Sequence, residues 1–227
     1  MIINCLTYNI SWATQINKTL GSEANFVEAC QKTYKKGGIK CNEDAIKKLK
    51  TLPKLDLIAL QEVNSDIETK LMNQFPHLSK FKRGTVGLSN VSTLWNPDIF
   101  GKLIYNNTFN LYRNEERPCL ILIFNSGKEF IIVINVHMPW DTNHKKAFNK
   151  IRKELETKQI SKFINENTKI IMMGDFNDSN TTIHTNSPLT IKFRNKSLKL
   201  SHKKNKSQAR NTLKSCCWHK PKHKYKY

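Results

Sequence analysis

The sequence predicts a mixed α/β fold, on two observations. Short apolar runs bounded by turn residues recur along the chain, and amphipathic stretches of helical period separate them. That alternation excludes an all-helical bundle. With 227 residues the chain is long enough for one domain with a sizeable core and too short for two comfortable ones.

Ile2–Tyr8 reads as a first strand. Two helical stretches follow, Ala24–Tyr34, which ends before Gly37-Gly38, and Glu43–Leu52, which ends before Pro53. Leu55–Leu60 is a second apolar strand, and Asp66–Phe75 a helix closed by Pro76. From Lys80 to Tyr112 the pattern alternates irregularly and carries Trp95, Phe100, Tyr105, Phe109 and Tyr112, as twisted antiparallel strands would. Cys119–Phe124 and Phe130–Val136 are β-branched runs joined by Asn-Ser-Gly-Lys, a hairpin signature. His144–Ile164 places Phe148, Ile151, Leu155, Ile160 and Phe163 on one helical face, a stripe for core packing. Lys169–Met173 is a buried-type strand ending at Gly174. Beyond Asp178 the pattern dissolves, and only Leu189–Phe193 and Cys216–Trp218 look capable of burial. The chain therefore divides into an ordered body, 1–178, and a basic, irregular C-terminal extension or truncated end of the same domain, 179–227.

Lys and Arg number 38 against 18 Asp and Glu, a net charge of +20. The last 49 residues hold 13 of those cations and no Asp or Glu. Clustered cations are a footprint for a polyanion such as nucleic acid; a codon bias toward Lys, Asn and Ile accounts for the same excess. No run approaches the ~18 apolar residues of a membrane-spanning helix. Six cysteines, at 5, 30, 41, 119, 216 and 217, form no CxxC pair, and Cys5 and Cys119 fall in apolar runs where a thiol packs as a small hydrophobe. With no secretory signal in view, an intracellular, cytoplasmic setting is expected, that of an infected host cell if the source is viral.

The chemistry lies in the residues at the ends of the apolar strands. Asn9 comes after Leu6-Thr7-Tyr8, Glu62 after Ile58-Ala59-Leu60-Gln61, and His137 after Val133-Ile134-Asn135-Val136. Asp175, Phe176, Asn177 and Asp178 come after Ile171-Met172-Met173-Gly174. Singly, each is more often a turn or a solvated loop residue. Together they are polar groups at strand ends, which in a layered α/β body converge on one edge. Glu62 and Asp175 supply hard oxygen ligands or a base, Asn9 and Asn177 neutral amides, and His137 a proton donor near neutral pH. That inventory suits Mg²⁺, which binds through one or two carboxylates and keeps several waters, and it suits phosphoryl chemistry.

At these segments, with Arg117-Pro118 between them, the sequence resembles the endonuclease/exonuclease/phosphatase superfamily, which includes DNase I-like nucleases, abasic-site endonucleases, deadenylases and inositol-phosphate phosphatases. Leu-Gln-Glu, Asn-x-His-x-Pro and Gly-Asp-Phe-Asn occur in the family's order over about residues 1–180. The resemblance implies a four-layer α/β/β/α sandwich of DNase I type, with an incomplete C-terminal edge, and phosphoester hydrolysis by water activated on Mg²⁺, or Mn²⁺ in its place. It implies that Glu62 is the principal metal ligand with Asn9 beside it, and that Asp175 aligns or deprotonates the attacking water. Asn177 then donates to a phosphate oxygen, His137 binds the phosphate or protonates the leaving group, and Arg117 contacts substrate. The Lys/Asn/Ile bias resembles that of uncharacterised members from AT-rich large DNA viruses.

One departure stands out. Family members end on a strand with a Ser-Asp-His-type motif, and no Asp occurs after Asp178 here, although His184, His202, His219 and His223 remain. The expected function is a Mg²⁺-dependent phosphodiesterase or nuclease acting on nucleic acid. The alternatives are a catalytically impaired relative that binds nucleic acid, and an inositol-phosphate or lipid phosphatase acting on a small phosphoester. Cys216, Cys217, His219 and His223 do not match zinc-finger spacing, and no phosphate-binding loop, G-x-S-x-G elbow or G-x-G-x-x-G is present.

Overall fold

Alternation of side chains along the strands builds two sheets stacked face to face. The computed structural model describes residues 3–10, 43, 46, 47, 49, 52, 54–127, 129–139, 144–177, 189–193 and 196–200. In chain order the elements are β1 (Cys5–Asn9), β2 (Leu57–Gln61), α1 (Ser65–Gln74), β3 (Lys80–Val86), β4 (Ser89–Trp95), α2 (Pro97–Phe100), β5 (Lys102–Asn110) and β6 (Pro118–Asn125). They continue with β7 (Phe130–His137), α3 (His144–Leu155), α4 (Lys158–Ser161), β8 (Lys169–Asp175), β9 (Leu189–Phe193) and β10 (Lys196–Leu200). One sheet has the order β1-β2-β4-β3 and the other β5-β6-β7-β8. Within each, one pair is parallel, β1 with β2 and β7 with β8.

Strand period 2 sends alternate residues to opposite faces, and three apolar clusters result from it. Ile58 and Leu60 of β2 pack with Ile67 and Leu71 of α1 and with Ile46 and Leu49. Their neighbours Leu57 and Ala59 meet Leu120, Leu122, Phe124, Ile131 and Val133 of the second sheet. On the far side, Cys119, Ile121 and Ile123 of β6 lie under Ala147, Ile151 and Leu155 of α3. Helix, sheet, sheet and helix thus form four layers. Trp95 and Phe124 meet edge to face across the middle layer at 5.1 Å between ring centroids. Removing one such side chain, Leu122→Ala for example, costs about 2–5 kcal/mol.

Polar contacts fix the layers' relative placement. Asn64 caps α1 by accepting from the Ile67 N–H at 2.9 Å. Buried Glu68 of α1 accepts from Arg83 Nε of β3 at 3.1 Å, tying the outer helix to its sheet.

Some elements differ from the sequence reading. The single helical stripe over 144–164 is broken, because Thr157 turns extended (φ −62°, ψ 151°) and its hydroxyl donates to Glu154 O at 2.8 Å. Phe148, Ile151 and Leu155 share one helix, and Ile160 and Phe163 come from the next segment. Within 179–227, the run Leu189–Phe193 that looked capable of burial is β9, and β10, which the sequence reading did not single out, pairs antiparallel with it from Phe193↔Lys196 to Leu200↔Leu189. Cys5 is exposed rather than packed, whereas Cys119 is fully buried. Glu43, Ile46, Lys47 and Leu49 are helical. The stretches Ala24–Tyr34 and Cys216–Trp218 lie outside the described residues. Among the described residues, no helix is long and apolar enough to cross a membrane.

Candidate active site

The two parallel pairs end at the same edge. β1 and β2 run in register with Asn9 opposite Gln61, and β7 and β8 with His137 opposite Asp175. Four strand ends on two sheets thereby deliver Asn9, Glu62, His137 and Asp175 to one place. Contacts between side chains prove the convergence. Asn9 Nδ2 donates to Glu62 Oε1 at 3.1 Å and to Asp175 Oδ2 at 2.8 Å, so one amide bridges a carboxylate from each sheet. His137 Nε2 lies 3.5 Å from the same Glu62 oxygen. Arg117 Nη1 donates to His137 Nε2 at 2.9 Å.

The backbone at the strand ends is bent to present these groups. Glu62 (φ 55°) and Asn177 (φ 46°) are the non-glycine residues with positive φ among those described. Such conformations cost on the order of 1 kcal/mol or more each and persist only where the surroundings enforce them. For Glu62 the enforcement comes from Asn90 of β4, whose carbonyl accepts from the Glu62 N–H and whose Oδ1 accepts from the Val63 N–H, both at 3.0 Å. Asn177 donates its N–H to Asp175 Oδ1 at 3.0 Å and its Nδ2 to Met138 O at 2.7 Å. Met138 N–H in turn donates to Asp175 O at 2.8 Å, extending the β7–β8 pairing past His137. Gly174 is required immediately before the site: its φ is +148°, and a Cβ there would stand 2.0 Å from Val136 O.

Behind the site the sheets are joined by a buried polar clamp. Asn135 is 0% exposed, inside the stretch Ile131–Val136 that is otherwise Ile and Val. It accepts from Gln61 Nε2 at 2.8 Å, and its Nδ2 donates to Ser92 O at 2.9 Å and Thr93 Oγ1 at 3.1 Å. Gln61 precedes Glu62 and Asn135 stands two residues before His137, so the clamp sets the spacing of the two halves of the site.

His137 is the group whose protonation the site alters. Burial pushes its pKa down, Glu62 and Asp175 oppose that, and the Arg117 guanidinium adds to it. Because arginine can only donate, Nε2 accepts, which puts the proton of the neutral ring on Nδ1, an atom buried without a hydrogen-bond partner. Arg117 is itself held by Glu115, whose Oε2 lies 2.8 Å from its Nε and 2.8 Å from its Nη2.

The donor set fits a hard divalent cation. Glu62 and Asp175 face the same amide, which brings two carboxylates together at the edge. Among the described residues no group of three or more His, Cys, Asp and Glu is gathered for a metal. A cation here would have few protein ligands and keep much of its water, as Mg²⁺ does.

All six residues singled out in the sequence, Asn9, Glu62, Arg117, His137, Asp175 and Asn177, join this one network. The sequence reading missed the residues that hold them: Asn90 behind Glu62, Glu115 behind Arg117, and the Gln61–Asn135 clamp. The clamp had a signal, an amide inside an apolar strand, which must find a partner when buried. Asn90 and Glu115 had none, since their role depends on loops meeting in space.

The model of the Endonuclease/Exonuclease/phosphatase family matches residues 6–221. The chain belongs to this family. Solved structures are similar in fold: a D. rerio TDP2 humanised by 14 mutations is 14% identical, with a TM-score of 0.53 over 80% of this chain and 64% of that one. D. rerio TDP2 complexed with a single-strand DNA product gives 15% identity and a TM-score of 0.49 over 80% and 63%. ANGEL2, a 2',3'-cyclic phosphatase, gives 17% and 0.46 over 65% and 50%. The chain spans less than two thirds of the length of these structures. Comparison with curated protein sequences gives no match. The four layers of this chain are the family's α/β/β/α sandwich, as the sequence motifs implied.

Proposed function

We propose that the chain is a metal-dependent phosphodiesterase that hydrolyses nucleic acid at this site. The observation that carries the reading is the Asn9 bridge between Glu62 and Asp175, because it gathers two carboxylates from both sheets beside a histidine and an arginine. Family membership supports phosphoester chemistry. The net charge of +20 favours a polyanionic substrate over a small or lipid phosphoester.

Glu62, with Asn9 beside it, would hold Mg²⁺ or Mn²⁺, and the bound ion would supply charge neutralisation and a more acidic water. The chain's own residues do the rest. Asp175 is fixed on one oxygen by the Asn177 N–H and on the other by Asn9, so its carboxylate is oriented to align the attacking water and accept its proton. The water oxygen bonds to phosphorus while the ester P–O bond breaks. His137 Nε2 accepts from Arg117 and so aims the guanidinium; to donate to the phosphate or the leaving oxygen itself, the ring takes a proton on Nε2 and releases Arg117. Asn177 donates one amide hydrogen to Met138 O and keeps a second for a phosphate oxygen. The Arg117 guanidinium balances negative charge developing on phosphorus.

The test is cleavage of plasmid and oligonucleotide substrates with Mg²⁺ and with EDTA, comparing wild type with Glu62→Ala and Asp175→Ala. Metal-dependent cleavage by the wild type alone is expected. Retained binding without cleavage would replace this reading with a nucleic-acid-binding protein. Release of phosphate from inositol or lipid phosphates, with nucleic acid untouched, would reassign the substrate.

A further inference from the structure

Among the described residues, two large apolar side chains are exposed, Phe81 at 43% and Leu88 at 89%, and both lie on the β3–β4 hairpin. A lone surface leucine needs no explanation. Leu88 differs in where it stands and how it is held. β4 runs antiparallel to β2 with Val91 opposite Gln61, so the turn at Gly87-Leu88 lies at the edge where β2 delivers Glu62. Asn90, two residues from Leu88, is the residue whose carbonyl and Oδ1 hold the Glu62 and Val63 amides. Two residues of strand span about 7 Å, roughly two base steps of stacked nucleic acid.

The turn is also fastened. Glu116 Oε2 accepts from the Leu88 N–H at 2.7 Å and the Ser89 N–H at 3.0 Å. Gly87 has φ +56°, and a Cβ on it would meet Glu116 Oε1 at 1.9 Å, so the glycine is what lets the carboxylate close on the turn. Glu116 immediately precedes Arg117, which reaches His137, and exposed Arg113 lies in the same loop. One loop therefore fixes both an apolar tip and a cation of the site, and Glu116 spends its charge on the turn's N–H groups. An apolar side chain that stays in water on a fastened turn, beside cations at a phosphoester site, is complementary to a base whose phosphate lies in that site. A base offers an apolar face at no cost in hydrogen bonding, and leucine is among the side chains proteins set against bases.

We propose that the Gly87–Leu88 turn is a rigid apolar shelf on which a nucleobase of the bound strand packs, with Glu116 holding the shelf in place. This deepens the nucleic-acid reading of the site and rests on it. It makes Leu88 a residue that recognises the presence of a base rather than its identity.

The experiment is equilibrium binding by the 227-residue chain in EDTA, with fluorescein-labelled single-stranded oligonucleotide and an abasic deoxyribose phosphate strand of the same length. The wild type is expected to favour the base-bearing strand about tenfold. Leu88→Ala should remove most of that preference with affinity for the abasic strand kept, Leu88→Met should restore it, and Glu116→Gln should weaken it about threefold. Absence of a wild-type preference, or an equal preference in Leu88→Ala, overturns the proposal, as does an equal loss on both strands. The two readings fail separately. A wild type that prefers bases through Leu88 but cleaves no phosphoester would refute the hydrolase alone, and one that cleaves with a preference untouched by Leu88→Ala would refute the shelf alone.

Discussion

Asn135→Ala probes the joint between the sheets. Asn135 is fully buried, as are Gln61, Ser92 and Thr93. Truncation strips Gln61 Nε2 of its 2.8 Å acceptor and Ser92 O of its 2.9 Å donor, in a region water does not reach. Each buried polar group left without a partner costs about 1–3 kcal/mol. Gln61 Nε2 retains a 3.3 Å contact with Thr7 Oγ1, which places its share at the lower end. With the cavity left by the lost amide, the sum is about 3 kcal/mol, a large part of the ~5–15 kcal/mol that holds a typical domain together. Urea unfolding followed by circular dichroism reads this directly. Replacing both partners, as in Gln61→Leu with Asn135→Leu, strands fewer polar atoms and should cost less than the two single leucine changes added together. A loss under about 1 kcal/mol for Asn135→Ala, or strict additivity in the pair, would refute the clamp.

Two more outcomes are expected from the same geometry. Gly174→Ala forces a Cβ to within 2.0 Å of Val136 O unless β8 shifts, and Asp175 would move with it; a loss of about 2–4 kcal/mol together with lost cleavage is expected, and unchanged thermal unfolding would contradict it. Burial lowers the His137 pKa below the usual 6.5, so between the two values the unfolded chain binds more protons than the folded one. In EDTA, stability should therefore fall as pH drops from about 6.5 through the folded-state pKa, and His137→Gln should flatten that slope. A slope unchanged in the variant would assign it to other groups.

Much of the site was legible because strand ends are visible in a sequence. An apolar run ending at Asn9, Glu62, His137 or Asp175 states which residue leaves the sheet, and parallel pairing within each sheet brings those exits to one edge. The hairpin over 118–137 was equally legible, since β-branched runs and an Asn-Ser-Gly turn are local signals. The missed features depend on contacts between distant segments. Nothing near Asn90 announces that it will hold Glu62 in a left-handed conformation, and nothing near Glu116 announces that it will fasten a turn 28 residues away. The break at Thr157 was hidden because Ile160 and Phe163 continue the stripe closely enough to pass for one helix. β9 coincides with the run Leu189–Phe193 that stood out in the sequence, whereas β10 has only Leu198 and Leu200 as apolar residues and gave no signal of its own.

If Glu62 and Asp175, one from each sheet, act as one catalytic unit across the Asn9 bridge, their losses do not add. Single-turnover cleavage of one oligonucleotide in Mg²⁺ by wild type, Glu62→Gln, Asp175→Asn and the double variant tests this most directly. Groups that act as a unit are not additive, so each single change should lower the rate by about 10³ or more and the double by little beyond that. Losses that multiply in the double variant, or a single variant that cleaves at the wild-type rate, would contradict the account.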